Sequence, residues 1–251
     1  MKIVVSFKVV PDDQDIQIAG DGSLDYSKAH QVVSSYDLNA IEAAAQLAAS
    51  NDASLVGMSV GKAAIDDSKL KKNVLARGVD ELFMTADDAC ADMDAYSTAS
   101  ALASLLTKID SYDLIICGDG SADNYAQQVD VQLAAKLDLP VVSSVTRLSV
   151  ENGVLKAERT LEDVVEVVRV ALPAVVSVTP DAALPRIPGM KDIVSAGKKP
   201  SDVSAAVAAY TSGIEVLDCR APKQAERRGE IIDLSEDGAV ARFAAAIKAA
   251  Q

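Results

Sequence analysis

The chain has 251 residues, 49% of them hydrophobic and 24% charged, enough apolar material for one sizeable domain or two small ones. Its 37 acidic residues outnumber 24 basic ones, and the net charge of −13 works against nucleic acid and anionic lipid as partners. No apolar run approaches the ~20 residues of a membrane span, so no membrane insertion is expected.

Residues 2–10 are apolar almost throughout and stop at Pro11-Asp12-Asp13, which reads as a strand buried on both faces rather than a secretory leader. The cytoplasm is therefore the expected location. Gly20-Asp21-Gly22 signals a turn or small hairpin. Residues 37–49 have helical spacing, 54–60 read as a strand ended by Gly61, and 66–75 as a helix stopping at Arg77-Gly78. A strand at 81–85, a helix at 95–108, a strand at 113–117 and a helix at 123–137 follow, then a strand from Pro140 to Val145. Such alternation predicts an α/β fold, a parallel sheet with helices on both faces.

The rhythm then changes. Strand-like residues 145–150 and 154–160 flank Asn152-Gly153, a strong hairpin signal, and 164–172 and 173–178 are further β-branched runs. Residues 1–180 thus form the expected core, with a hairpin extension at 145–172. Beyond them come Pro185, Pro188, Gly189, Gly197 and Pro200, a weak strand at 214–217, a basic stretch at 223–228 and an Ala-rich helix at 238–250. Residues 181–251 read as an extended arm lying on a partner.

Ligands of open α/β sheets sit beyond the carboxyl ends of the strands, where helix N-termini present free N–H groups. Four such ends stand out: 8–12, 34–37, 59–61 and the segment after Cys117. The last is the richest. Gly118 and Gly120 let backbone approach a phosphate, Ser121 and Asp123 are natural caps, and Asn124 and Gln128 can bond phosphate, ribose or an adenine edge. Asp123 stands where a dinucleotide fingerprint has its third glycine, so an ordinary glycine turn before a capped helix remains the alternative. Ser34 and Asp37 likewise read as a helix cap. His30, the sole histidine, reads as a loop residue and Cys117 as a buried small hydrophobe. Cys90, Cys117 and Cys219 lie too far apart in sequence to suggest a disulfide frame or thiolate metal site. The acidic group Glu158, Glu162, Asp163 and Glu166 reads as a solvated hairpin edge.

Taken in order, these residues resemble the electron transfer flavoprotein β subunits, in particular their Fix-type bacterial branch. Lys8-Val-Val-Pro-Asp12 is similar to the family's K-x-V-P-D turn and Tyr36-Asp-Leu-Asn-Ala-Ile-Glu42 to its N-P-[FY]-D-x-x-A-[IL]-E segment. Gly118, Asp123, Gln128 and Val129 stand in register with its loop G-x-x-x-x-D-x-x-x-Q-[TV]. Residues 157–168, running on to Pro173-Ala-Val-Val-Ser177, resemble its signature, 185–199 its recognition loop, and Pro222 with Arg227-Arg228-Gly229 its C-terminal arm. Ser34-Ser35 replaces the common Asn-Pro, and Val164 stands where the signature prefers a small acidic residue or glycine.

The resemblance implies a Rossmann-like core of the adenine nucleotide alpha hydrolase-like kind. It also implies a heterodimer with an α subunit that holds the electron-carrying FAD. Electrons would pass from an acyl-CoA dehydrogenase-type flavoprotein to an acceptor such as a ferredoxin or a quinone oxidoreductase. The chain itself would hold AMP, or a second FAD in a bifurcating complex. Carried over by position, the nucleotide contacts are Ser6, Ser34, Ser35, Tyr36, Asp37, Val60, Gly118, Asp119, Gly120, Ser121, Ala122, Asp123, Asn124, Tyr125, Ala126, Gln127, Gln128 and Val129. Ile187, Met190 and Lys191 would meet the dehydrogenase, with Met190 as the anchor. No side chain has an expected catalytic role and no metal is expected. The alternatives are an adenine-nucleotide sensor of the stress type without a redox role, or a nucleotide-dependent ligase, which would need a triphosphate loop that the sequence lacks.

Overall fold

The computed structural model describes residues 1–223 and 229–250. The expected basic stretch at 223–228 and the Arg227-Arg228 pair fall, Lys223 apart, outside the described residues. The strands in chain order begin with β1 (Lys2–Ser6), β2 (Val9–Pro11), β3 (Gln17–Ile18), β4 (Leu24–Asp25) and β5 (Gln31–Val33). Then follow helix α1 (Ser35–Asn51), β6 (Ser54–Gly61), α2 (Ser68–Leu75), β7 (Glu81–Ala86), α3 (Ala95–Leu106), β8 (Leu114–Gly118) and α4 (Val129–Leu137). The second half holds β9 (Val141–Glu151), β10 (Val154–Thr160), β11 (Val165–Ala171), β12 (Ala174–Val178), α5 (Met190–Ala196), β13 (Ser201–Ser204) and α6 (Ala239–Ala250).

Among the described residues nine strands form one sheet in the order β11-β10-β9-β12-β8-β1-β6-β7-β13. The joins from β9 to β13 are parallel, while β9, β10 and β11 continue the sheet antiparallel as the expected hairpin extension. Side-chain alternation explains why the parallel strands are apolar throughout. Ile3 and Val5 of β1 pack with α1 and α2 on one face, and Val4 packs with α3 and α4 on the other. The chain runs from β1 through α1 to β6 and through α2 to β7 on the first face. It returns through α3 on the second face to β8, on the opposite side of β1. The sheet therefore changes winding direction between β1 and β8.

Four segments differ from the sequence reading. The first apolar run is two strands, because the backbone leaves the sheet after Ser6 and β2 pairs instead with β5, Val9 opposite Val33. The helix expected from Asp123 starts at Val129, after a loop in which Tyr125 and Gln127 have φ of +44° and +55°, incompatible with helix. Residues 190–204, read as part of an extended arm, contain α5 and β13: Ala196 enters the core and β13 extends the sheet beside β7, Ser201 opposite Leu82. The weak strand expected at 214–217 does not form. Glu158 lies 3.2 Å from Lys156 and 3.8 Å from Arg147, and Glu166 3.2 Å from Arg159, so part of the acidic group is neutralised along the hairpin.

Contacts divide the chain into two compact units. Met1–Gln17 with Asp25–Asp218 form the α/β unit described above, and Ile18–Leu24 with Cys219–Gln251 form a smaller one. In the smaller unit the Ala221 N–H donates to the Gly22 carbonyl at 2.9 Å.

Candidate functional site

A reversal of winding opens a crevice at the carboxyl ends of the two strands that flank it, the usual ligand position of such sheets. Here those ends are Ser6 and Gly118, and the segments leaving them meet. The backbone N–H of Lys8 donates to Asp37 Oδ2 at 2.7 Å, while the Lys8 carbonyl accepts from the Ser34 N–H at 2.9 Å. From the opposite strand the Gly118 N–H also bonds the Asp37 carboxylate. A Cβ on Gly118 would lie 2.6 Å from Asp37 Oδ1 and 3.2 Å from the Tyr36 carbonyl oxygen, so glycine is what lets β8 approach the start of α1. Asp37 is wholly buried. Burial pushes its carboxyl up to about 7, against the pull of bonds from Lys8, Gly118 and Ser34 and of the Lys8 charge.

The loop between β8 and α4 folds back over this junction. Asp123 reaches Lys8 Nζ at 2.6 Å and accepts from the Ser121 hydroxyl at 2.6 Å. Partial burial works to raise the Asp123 carboxyl, but these two bonds and the Lys8 charge hold it below the ordinary value. The Ala122 N–H donates to Ser34 Oγ at 3.2 Å. The Tyr125 hydroxyl donates to Asp119 Oδ2 at 2.8 Å, and its ring centre lies 4.9 Å from that of Tyr36. Asp119 is only 6% exposed, burial raises its carboxyl, and Oδ1 has no hydrogen-bond partner among the described residues. Gln128 precedes α4 without a side-chain cap bond, leaving first-turn amides for an outside acceptor.

The structure thus brings Ser34, Tyr36, Asp37, Gly118, Asp119, Gly120, Ser121, Ala122, Asp123 and Tyr125 into one cradle. Ser6 stands behind it, its hydroxyl bonded to the Cys117 thiol, which burial pushes up to about 12. Val60 sits at the end of β6, next to Ser59, whose hydroxyl donates to the Phe7 carbonyl at 2.7 Å. Ser35, Asn124, Ala126, Gln127 and Gln128 are exposed, and Val129 is half-buried in the first turn of α4. Ser121 and Asp123 do not cap α4, and Ser34, at the N-cap position of α1, caps no amide of that helix: its oxygen accepts from Ala122 and its side chain bonds the Asp37 carboxylate. The Lys8 side chain was not foreseen as a site group. It lies between β1 and β2, and only the folded chain brings Asp123 to it. His30 lies elsewhere, exposed and 2.7 Å from Asp15.

Ile187, Met190 and Lys191 belong to a different segment. Met190 opens α5 with 79% of its surface exposed, and Ile187 is 94% exposed. Arg186 anchors this segment, its Nε and Nη2 donating to Glu42 of α1 at 2.6 and 3.1 Å. Asn39 adds bonds from its side-chain amide to the Pro180 and Ala183 carbonyls at 3.0 and 2.7 Å.

Main-chain amides and Lys8 suit a phosphate, the Tyr36 ring suits a planar base, and the unsatisfied Asp119 oxygen suits a hydroxyl or amine donor. The donor set fits the adenosine part of AMP or FAD. Among the described residues no cluster of His, Cys, Asp and Glu is arranged to hold a metal ion, and no helix is long and apolar enough to cross a membrane. A family model described as the electron transfer flavoprotein domain matches residues 22–210, well over half of the chain. That span runs from before α1 past β13 and takes in both the loop over the crevice and the hairpin extension. The chain therefore belongs to the electron transfer flavoprotein family.

Proposed function

We propose that this chain is the β subunit of a heterodimeric electron transfer flavoprotein of the Fix type, with an adenine nucleotide seated in the cradle between β1 and β8. The observation that carries this reading is the convergence of Lys8, the Ser34–Asp37 turn and the Gly118–Asp123 loop on one crevice at the winding reversal. Main-chain amides and the Lys8 ammonium hold the phosphate, and Tyr36 positions the base. AMP in this place would be structural, filling a polar cavity and stabilising the folded chain in proportion to its binding. A second FAD in the same place would supply redox chemistry of its own, with the surrounding residues tuning its potential. Electrons would enter from an acyl-CoA dehydrogenase-type flavoprotein and leave to a ferredoxin or quinone oxidoreductase, in the cytoplasm.

A further feature supports this assignment. The segment carrying Ile187, Met190 and Lys191 is pinned at its base by Arg186 and Asn39, yet exposes large apolar side chains at its tip. A flexible methionine held out on a fixed base suits insertion into a partner's pocket. On this reading residues 1–180 carry the nucleotide-binding core, to which β13 adds an edge strand, and residues 181–251 carry the recognition segment and the arm that lies on the α subunit. Co-purification with the α subunit tests the assignment. A yellow 1:1 complex is expected, whereas a colourless self-associating protein that needs no α chain would favour a nucleotide sensor.

A further inference from the structure

On the reading of the crevice as an adenine-nucleotide site, one side chain already lies over its mouth: Tyr125, 43% exposed. The Tyr125 ring is so close to Gly120 that a Cβ there would meet three ring carbons at 2.2, 2.5 and 3.0 Å. Its centre is 4.9 Å from the Tyr36 ring at an interplanar angle of 44°, and its hydroxyl donates to Asp119 Oδ2 at 2.8 Å. To place the ring there the backbone of Tyr125 takes φ +44°, a region disfavoured for an aromatic residue, and Gln127 takes +55°. The carboxylate that receives the hydroxyl is buried, with Oδ1 unpartnered among the described residues. A buried carboxylate satisfied at one oxygen and orphaned at the other marks an incomplete polar site.

We propose that Tyr125 is an internal competitor for the nucleotide, holding the cradle closed, and that the bound ribose takes over Asp119. A tyrosine offers Tyr36 and Asp119 the same two features as a nucleoside, a planar face to stack on and a hydroxyl to donate. It supplies a single donor, however, while the carboxylate has two oxygens to satisfy. The vicinal 2′- and 3′-hydroxyls of a ribose supply two donors, one for each oxygen, so the nucleotide satisfies Asp119 better than the ring does. Once displaced, Tyr125 leaves over Gly120, where the lack of a side chain gives backbone room for the ligand. Asp119 thereby becomes the residue that distinguishes ribose from deoxyribose, and Tyr125 sets how often the site is open.

The apparent affinity of a site open only part of the time falls by the open fraction, so a cradle open about one-tenth of the time binds about tenfold more weakly than its intrinsic strength. Calorimetric titration of the full-length chain, freed of endogenous nucleotide, with AMP and with 2′-deoxy-AMP tests both roles. Tyr125→Ala should tighten AMP binding by about tenfold, equivalent to about 1.4 kcal/mol, and Tyr125→Phe, which loses only the bond to Asp119, by a smaller factor. Asp119→Leu, which keeps the size but neither accepts nor donates, should bring the affinities for AMP and 2′-deoxy-AMP together, whereas the unaltered chain prefers AMP. Binding that is unchanged or weaker in Tyr125→Ala overturns the competitor role; should that variant fail to fold, absence of tightening in Tyr125→Phe does so. A preference for AMP retained in Asp119→Leu overturns the ribose assignment. Failure of the unaltered chain and every variant to bind either AMP or FAD is a separate result, which removes the nucleotide site itself and this proposal with it.

Discussion

Replacing Asp37 with asparagine removes the carboxyl that ties the Lys8 and Gly118 amides together at the base of the cradle. In the folded chain that carboxyl titrates at about 7, well above its ordinary 3.8, because burial penalises its charged form. A group raised in this way binds its proton more tightly when folded. Its stabilising contribution is complete below pH 3.8 and is lost as pH rises through about 7. Across that window this single site lowers the unfolding free energy by about 4 kcal/mol. Other carboxylates titrate as well, so the informative quantity is the difference between wild type and Asp37→Asn at each pH. Urea unfolding followed by far-ultraviolet circular dichroism measures it, since the chain has no tryptophan. Asparagine matches the protonated carboxyl in size and keeps one oxygen for an amide donor, so the two proteins should agree within about 1.5 kcal/mol near pH 4. Towards pH 8 the variant should gain on the wild type by about 4 kcal/mol, with most of the gain complete by about pH 7. A difference that stays level across this range, or wild type gaining at high pH, would refute the burial argument.

Other consequences concern the anchors around the site. Glu42 and Arg186 should respond asymmetrically, because the Glu42 side chain is 7% exposed and that of Arg186 41%. Arg186→Leu, which strands a buried carboxylate, should cost about 3 kcal/mol in urea unfolding, and Glu42→Gln, whose arginine partner can reach water, about 1 kcal/mol. Equal losses would contradict the burial assignment. Asp123→Ala breaks the bonds to Lys8 and Ser121 and should loosen nucleotide binding, and unchanged nucleotide retention on gel filtration would count against a role for that loop. Met190→Ala should alter stability by no more than about 0.5 kcal/mol, since the side chain is exposed, yet slow electron transfer from the dehydrogenase at unchanged flavin content. An unaltered rate of flavin reduction would remove Met190 from the partner contact.

The parallel core was legible because its strands are buried on both faces. Runs such as Lys2–Ser6, Leu114–Gly118 and Ala174–Val178 carry their assignment in composition alone, and the Asn152-Gly153 turn fixed the hairpin. Elements that depend on distant backbone were not legible. Ser-Asp-Val-Ser at 201–204 has little strand propensity and becomes β13 because the edge of β7 offers it a ladder. The site divides along the same line. Glycine and aspartate at 118–123 marked the loop, but what each side chain touches is tertiary: Ser34 accepts from Ala122 rather than from an amide of its own helix, and Asp123 serves Lys8 from 115 positions away. The helical spacing that continued upstream of Val129 concealed a loop whose left-handed residues, Tyr125 and Gln127, are not glycine. A lysine two residues beyond an apolar strand carries no local sign that its partner lies past β8, the seventh strand to follow it.

The most direct test of a nucleotide seated between β1 and β8 is the content of the purified complex with its α subunit. The complex is denatured, and the released nucleotides are separated and quantified against protein. The account predicts two adenine nucleotides per heterodimer, either FAD with AMP or two FAD. A single FAD per heterodimer, with no AMP, would mean that the cradle over Gly118 holds nothing and would contradict the account.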